Sequence, residues 1–232
     1  MEEIIYETFM TICALFWDFD NTLIETAQAH WDKHVNVLKD LGITLDPIYK
    51  RRVYENNGYQ NWLWMHQELG LTLPESQYLQ AIDEEFQKVI EHLKIRDGAS
   101  EILELAKSLK IPQAIITNAR KTSAEPVIKS KGLAAYMEFI LYKEDYEGRK
   151  PSPSPYLKGL EKMQEGLQKA LDPQNCLAIE DDPKGVEAAK KANLCVVQRP
   201  ISNHETKCPF ADYSTYEKDS FINLISQLLQ KP

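Results

Sequence analysis

The sequence predicts an α/β protein: a parallel sheet wrapped by helices, with an all-helical segment set between the first two strands. Three observations carry this. Short, nearly continuous apolar runs recur along the 232 residues, as strands buried on both faces require. Amphipathic helical stretches separate them, and such alternation is the mark of a parallel sheet with helical crossovers. Residues 25–95 show helical periodicity with no strand alternation to interrupt it.

The strands are read in order as ICALFWDF (12–19), QAIITN (113–118), EFILY (138–142), NCLAIE (175–180) and LCVVQ (194–198). A long helix is expected over 27–41, ending near Gly42. Asp46-Pro47 reads as the N-cap and first residue of the next helix. Thr72 and Glu75, three apart, read as a capping box opening a helix to about Leu93. The expected division is a core of 1–24 and 96–232 and a helical insertion of 25–95, hinged near Glu25 and Asp97-Gly98.

Composition narrows the function. The chain is 43% hydrophobic and 27% charged, and its formal charge of -8 argues against a nucleic-acid or anionic-membrane partner, which needs a basic face. A bound divalent cation would still admit an anionic substrate. The run from Ile12 to Trp17 is far short of the ~20 residues of a membrane span. Glu2, Glu3 and Glu7 give an acidic start, opposite to a secretory signal. Cys13, Cys176, Cys195 and Cys208 show no metal-binding spacing and read as buried thiols in a reducing compartment. The expectation is a cytoplasmic globular protein.

In parallel sheets ligands gather at the carboxyl ends of the strands, and the polar residues here stand at those ends. Asp18 and Asp20 leave the first run, Thr117 and Asn118 the second, and Glu180, Asp181 and Asp182 the fourth. Each has an ordinary alternative. Asp18-Phe19-Asp20 is either a turn facing water or a site for something positive and phosphorylated. Asn21 tolerates a left-handed backbone, so a tight loop there would bring Thr22 back beneath the two carboxylates. Lys150 lies in a proline-rich loop where lysines are usually solvated, and Ser152-Pro153 is a helix N-cap pair. Asp182-Pro183 has the same pattern, which gives Asp182 a structural reading. Glu180 and Asp181 have no such excuse, and hard cations such as Mg²⁺ favour one or two carboxylates together with phosphate oxygens.

DFDNT, Thr-Asn, Lys-Pro and EDDPKGVEAAKKANL, in this order along an α/β chain, resemble the haloacid dehalogenase-like hydrolase superfamily. The helical insertion resembles the cap of its first subclass, which includes phosphoglycolate phosphatase and β-phosphoglucomutase. The resemblance implies a Rossmann-like core with a mobile helical cap. Asn21 departs from the usual glycine, Trp17 from a smaller residue, and Asp182 from a frequent serine. Carried over, Asp18 is the nucleophile that forms an aspartyl-phosphate and Asp20 the general acid/base. Thr117, Asn118 and Lys150 bind the phosphate. Mg²⁺ is held by Asp18, the carbonyl of Asp20 and Asp181, with Glu180 or Asp182 acting through water. In the cap, YENNGYQNW (54–62), with Asn57 and Gly58, is either the substrate-facing segment or a plain loop. His30 is either structural or a substrate group. Lys50-Arg51-Arg52 is either a second anion site or a solvated face.

The implied function is a Mg²⁺-dependent phosphatase acting on a small phosphorylated metabolite; the alternative is a phosphosugar mutase sharing the first step. The dehalogenating branch lacks the second aspartate, and for phosphonate cleavage neither Lys33 nor Lys50 lies in a matching motif. A catalytically dead binding protein would usually lack one of the essential acids, and none is missing.

Overall fold

The computed structural model describes residues 11–230, so the acidic segment containing Glu2, Glu3 and Glu7 lies outside the described residues. One sheet is built from β1 (Ala14–Trp17), β2 (Gln113–Ile116), β3 (Phe139–Leu141), β4 (Cys176–Glu180), β5 (Cys195–Gln198) and β6 (Tyr213–Ser214). Its order is β3-β2-β1-β4-β5-β6 and every neighbouring pair is parallel. The chain therefore builds outward from β1 in both directions. That reversal opens a crevice at the carboxyl end of β1, between the ends of β2 and β4.

The apolar runs become strands because both faces are covered. Leu15 and Trp17 point into one core with Ile115, Leu177, Ile179 and Val197. Ala14 and Phe16 point into the other with Ala114, Ile116, Ala178 and Val196. Trp17 is fully buried, and its indole N–H donates to Gln113 Oε1 at 3.0 Å, a packing role as its surroundings in sequence suggest.

Between β1 and β2 lie α1 (Ala27–Asp40), α2 (Lys50–Glu55), α3 (Gly58–Leu69) and α4 (Glu75–Gln87). They enclose a third core of their own, around Trp31, Leu38, Trp64, Met65, Tyr78 and Ile82. The two segments joining them to the sheet run side by side. Ile24 and Ile95 form an antiparallel bridge, Glu25 N donates to Lys94 O, and Arg96 N donates to Leu23 O. The remaining helices are α5 (Ala99–Ser108), α6 (Lys121–Ser130), α7 (Ser154–Leu167), α8 (Pro183–Lys191) and α9 (Lys218–Gln230).

Local signals hold at several termini. Gly42 follows α1 at φ 73°, and Asp46 accepts from Ile48 N at 2.9 Å to open the short turn before α2. The capping box expected at Thr72 does not form. Pro74 biases Leu73 toward extended backbone, so α4 starts only at Glu75 with no side-chain cap. It ends at Gln87 rather than near Leu93, giving way to a 3₁₀ turn over Ile90–His92. Helix α7 begins at Ser154, one residue later than expected, with Pro153 rather than Ser152 at the N-cap and no side-chain cap; the Ser152 hydroxyl accepts from Ser154 N at 3.3 Å just before it.

Candidate active site

Asp18 is the first residue beyond β1, and its N–H donates to Ile179 O at 3.0 Å, which fixes the strand end against β4. The chain then turns sharply through Asn21, which takes φ 57°, the left-handed backbone expected of asparagine there. Asn21 Oδ1 accepts from the N–H groups of Thr26 (3.1 Å) and Ala27 (2.7 Å) and so caps α1. The Thr22 hydroxyl donates to Asp181 Oδ1 at 3.4 Å, not to Asp18 or Asp20.

Lys150 is the centre of charge. Only 4% exposed, its Nζ lies 2.6 Å from Asp18 Oδ1, 2.6 Å from Glu180 Oε1 and 2.8 Å from Ile116 O. These three acceptors occupy all three of its N–H donors. The loop that carries it is fixed by β2's exit: Asn118 Oδ1 accepts from Lys150 N at 3.1 Å and from the Tyr146 hydroxyl at 3.2 Å. Thr117, also buried, uses its Oγ1 to accept from Ala119 N at 3.0 Å, which leaves its own O–H to donate elsewhere.

Glu180 ends β4 and is buried against Lys150 and the Tyr156 hydroxyl, which donates to Oε1. Burial and the nearby Asp18 charge push its carboxyl up to about 8, with Lys150 opposing. Burial likewise raises Asp18, again against Lys150. Asp181 is pushed well up by burial and by Asp18, Glu180 and Asp182, with Arg96 opposing. One oxygen from each of Asp18, Glu180 and Asp181 lies within 4.8 Å of the others. Three carboxylate oxygens gathered this closely form an all-oxygen donor set that suits a hard divalent cation such as Mg²⁺. Asp182 is not in this group. Its Oδ1 accepts from Lys184 N at 2.6 Å, making it the N-cap of α8, where Pro183 follows.

Asp20 stands apart from that cluster and faces α1. Its Oδ1 accepts from the Thr26 hydroxyl at 2.7 Å and lies 3.0 Å from His30 Nε2. Burial works against its ionisation, but His30, Thr26 and Lys33 outweigh it and hold the carboxyl below the usual range. Burial and Lys33 push His30 below the usual imidazole value. Near neutral pH the ring is therefore uncharged and must carry its proton on Nε2, since an ionised Asp20 can only accept. His30 also stacks on Phe86, with ring centroids 4.9 Å apart.

The other insertion residues do not join the site. Asn57 is the N-cap of α3 and forms a capping box with Gln60, and a Cβ on Gly58 would meet Leu79 Cδ2 at 2.8 Å, so these two serve capping and helix packing. The same loop does touch the sheet side, because Lys184 Nζ donates to Glu55 O at 3.2 Å. Lys50, Arg51 and Arg52 are taken up by Gln28, Glu55 and Glu68 within the insertion. Thr26, Tyr146 and Tyr156 contact the site residues although the sequence assigned none of them to the site.

Carboxylates and one buried ammonium gathered where a parallel sheet reverses direction define the site of an α/β enzyme. The profile of the haloacid dehalogenase-like hydrolases matches residues 15–198, and the chain belongs to that family. It is 25% identical over 182 residues to the phosphorylated carbohydrates phosphatase of Thermotoga maritima, covering 78% of this chain and 82% of that one. It is 26% identical over 193 residues to the phosphoglycolate phosphatase of Thiobacillus denitrificans, covering 81% and 82%. The crystal structure of CbbY from Rhodobacter sphaeroides in complex with phosphate superposes with a TM-score of 0.76 at 24% identity, covering 92% of this chain and 96% of that one, a likeness of fold. Among the described residues no helix is long and apolar enough to cross a membrane.

Proposed function

We propose that the protein is a Mg²⁺-dependent phosphatase that hydrolyses phosphomonoesters of small metabolites through an aspartyl-phosphate on Asp18. The observation that carries this reading is convergence: Lys150 Nζ sits 2.6 Å from Asp18 across 132 residues of sequence, with Asp181 beside them. A nucleophilic carboxylate splits one difficult displacement into two easier ones. Asp18 attacks phosphorus and the bond to the leaving oxygen breaks, while Asp20 gives that oxygen a proton. Water then attacks the phosphorus of the aspartyl-phosphate, Asp20 takes its proton, and Asp18 is released with inorganic phosphate.

At rest Asp20 is held ionised by its partners on α1. A phosphoryl dianion arriving beside it raises its proton affinity, because like charge disfavours ionisation. Thr117 and Asn118 donate to the phosphoryl oxygens and Lys150 sets a positive charge behind Asp18. Asp18, the carbonyl of Asp20 and Asp181 would hold Mg²⁺, which when bound would supply charge stabilisation to the phosphoryl group. Glu180 orients Lys150. Residues 25–95 act as a cap that closes over the site and excludes water. The relatives named for phosphorylated carbohydrates and phosphoglycolate support a small phosphorylated metabolite as substrate. Four cysteine thiols support a reducing, cytoplasmic setting.

The test is phosphate release from p-nitrophenyl phosphate and a panel of phosphorylated metabolites, with Mg²⁺ and with EDTA. Asp18→Asn should abolish turnover with the fold intact, and substantial retained activity sinks the nucleophile assignment. Isomerisation of a sugar phosphate with little free phosphate identifies a mutase instead.

A further inference from the structure

Arg96 is a buried guanidinium, 8% exposed, in the segment that leads from the helical insertion back to the sheet. Among the described residues no carboxylate lies within ion-pair distance of it, and burial depresses its basicity, with Asp181 giving the largest opposing field. Its donors go to backbone instead. Nη1 donates to Asn21 O at 2.5 Å and to Arg199 O at 2.8 Å, and Nη2 donates to Pro200 O at 2.5 Å. Placing an unpaired charge in the interior is costly, so a position that keeps one demands an account.

The acceptors supply it. Asn21 is the left-handed residue that turns the chain immediately after Asp20. Arg199 and Pro200 follow β5, and Arg199 N donates to Glu180 O at 2.6 Å, so this segment hangs on the end of β4. Arg96 thus spans from the turn after Asp20 to the strand end that presents Glu180 and Asp181. The side chain of Asn21 is held from the other direction, by the first N–H groups of α1. Any shift of α1 pulls on that side chain, and Arg96 is the anchor that keeps the main chain of the turn with the sheet.

We infer that Arg96 is a positioning residue: its planar fork fixes the Asn21 turn against the β4 and β5 ends and so holds Asp20 in register with Asp18 and Asp181 while the helical insertion moves. The inference rests on the hydrolase reading above for its kinetic consequence, though not for its structural one. A lysine at 96 keeps the charge but lacks the rigid fork that serves several carbonyls at once.

Two variants test it. Arg96→Ala and Arg96→Lys should both lose about 10²-fold in kcat with KM within about threefold, because misplacing a reacting group by about 1 Å has that cost. Guanidinium ion should restore activity to Arg96→Ala and leave wild type and Arg96→Lys unchanged. Amide exchange at Leu23 and Ile24, both bonded to Phe19 O, should accelerate about tenfold or more in either variant as the turn opens. Wild-type kcat in either folded variant overturns the inference, as does a loss in Arg96→Ala that guanidinium does not rescue. Failure of both variants to fold also overturns it, since Arg96 is then a folding residue. A wild-type protein that hydrolyses no phosphomonoester sinks the hydrolase reading, and the exchange rates still decide for or against the anchor.

Discussion

With no metal bound, this protein should lose stability as the pH rises from about 6.5 to about 8.5, the reverse of the usual carboxylate behaviour. The cause is Glu180, whose carboxyl is lifted from 4.5 to about 8 by burial and by Asp18. Its folded value lies above its unfolded one, so the fold favours the protonated form. That contribution is complete at low pH and is lost as the pH climbs through about 8. Integrating between the two pH values gives a loss of about 2 kcal/mol from this group, or about 4–8 °C in Tm for a chain of this size. Asp18 and Asp181, raised by the same burial, act in the same direction. His30 and His34, both lowered, act the other way, an effect that fades out about one pH unit above their ordinary 6.5. The Cys13 thiol, brought down to about 7, titrates inside the window, so the decisive quantity is a difference. Thermal unfolding in EDTA, run for wild type and Glu180→Gln across the window, isolates Glu180. The wild-type Tm should fall more steeply, and added Mg²⁺ should flatten its slope. Parallel curves for the two proteins would refute the account of Glu180 as a buried acid forced toward its neutral form.

Asp181→Ala should raise the Mg²⁺ concentration for half-maximal activity by at least about tenfold; a Mg²⁺ titration that is unchanged removes Asp181 from the metal site. At Gly185, in the first turn of α8, an added Cβ would overlap the Glu180 carboxylate. Gly185→Ala should therefore push Glu180 off Lys150 and cost about 1–3 kcal/mol, read as a lowered midpoint in urea with a parallel loss of kcat, and a variant with wild-type midpoint and rate would show that the helix simply shifts.

The sheet was legible because each strand announces itself locally. A short β-branched and apolar run has few alternatives when turn residues bound it, and Asp18, Thr117, Glu180 and Asp181 are legible because Glu180 ends its strand and each of the others follows its strand by one residue. The partners of those residues were not. Tyr156 meets Glu180 across 24 residues, Tyr146 meets Thr117 across 29, and Arg96 meets Pro200 across 104. No spacing rule reaches contacts that only the folded chain creates. The proximity of Cys13, just before β1, and Cys176, at the start of β4, whose sulfurs lie 3.8 Å apart, was hidden for the same reason. The false capping box at Thr72 failed differently. The pattern was present, but Pro74 inside it set the backbone first. The strand β6 is two residues long and left no signal strong enough to read, whereas α9 did leave one, with Phe221, Ile225, Leu228 and Leu229 at helical spacing.

The donor count at Lys150 bears on how the site would divide its labour. Its three N–H groups are committed to Asp18, Glu180 and Ile116 O, so none is left over for a phosphoryl oxygen unless one of these bonds is exchanged. Thr117 and Asn118 are in the opposite condition. Each spends its oxygen on holding the local loops, Thr117 on Ala119 N and Asn118 on Lys150 N and Tyr146, and each keeps N–H or O–H hydrogens for a ligand. On the hydrolase reading, then, directional recognition of the phosphoryl group falls to Thr117 and Asn118, and Lys150 contributes field rather than contact. Glu180 belongs with the lysine in that division. By taking one N–H and sitting partly protonated near neutral pH, it fixes where the ammonium points without cancelling the charge that Asp18 needs beside it.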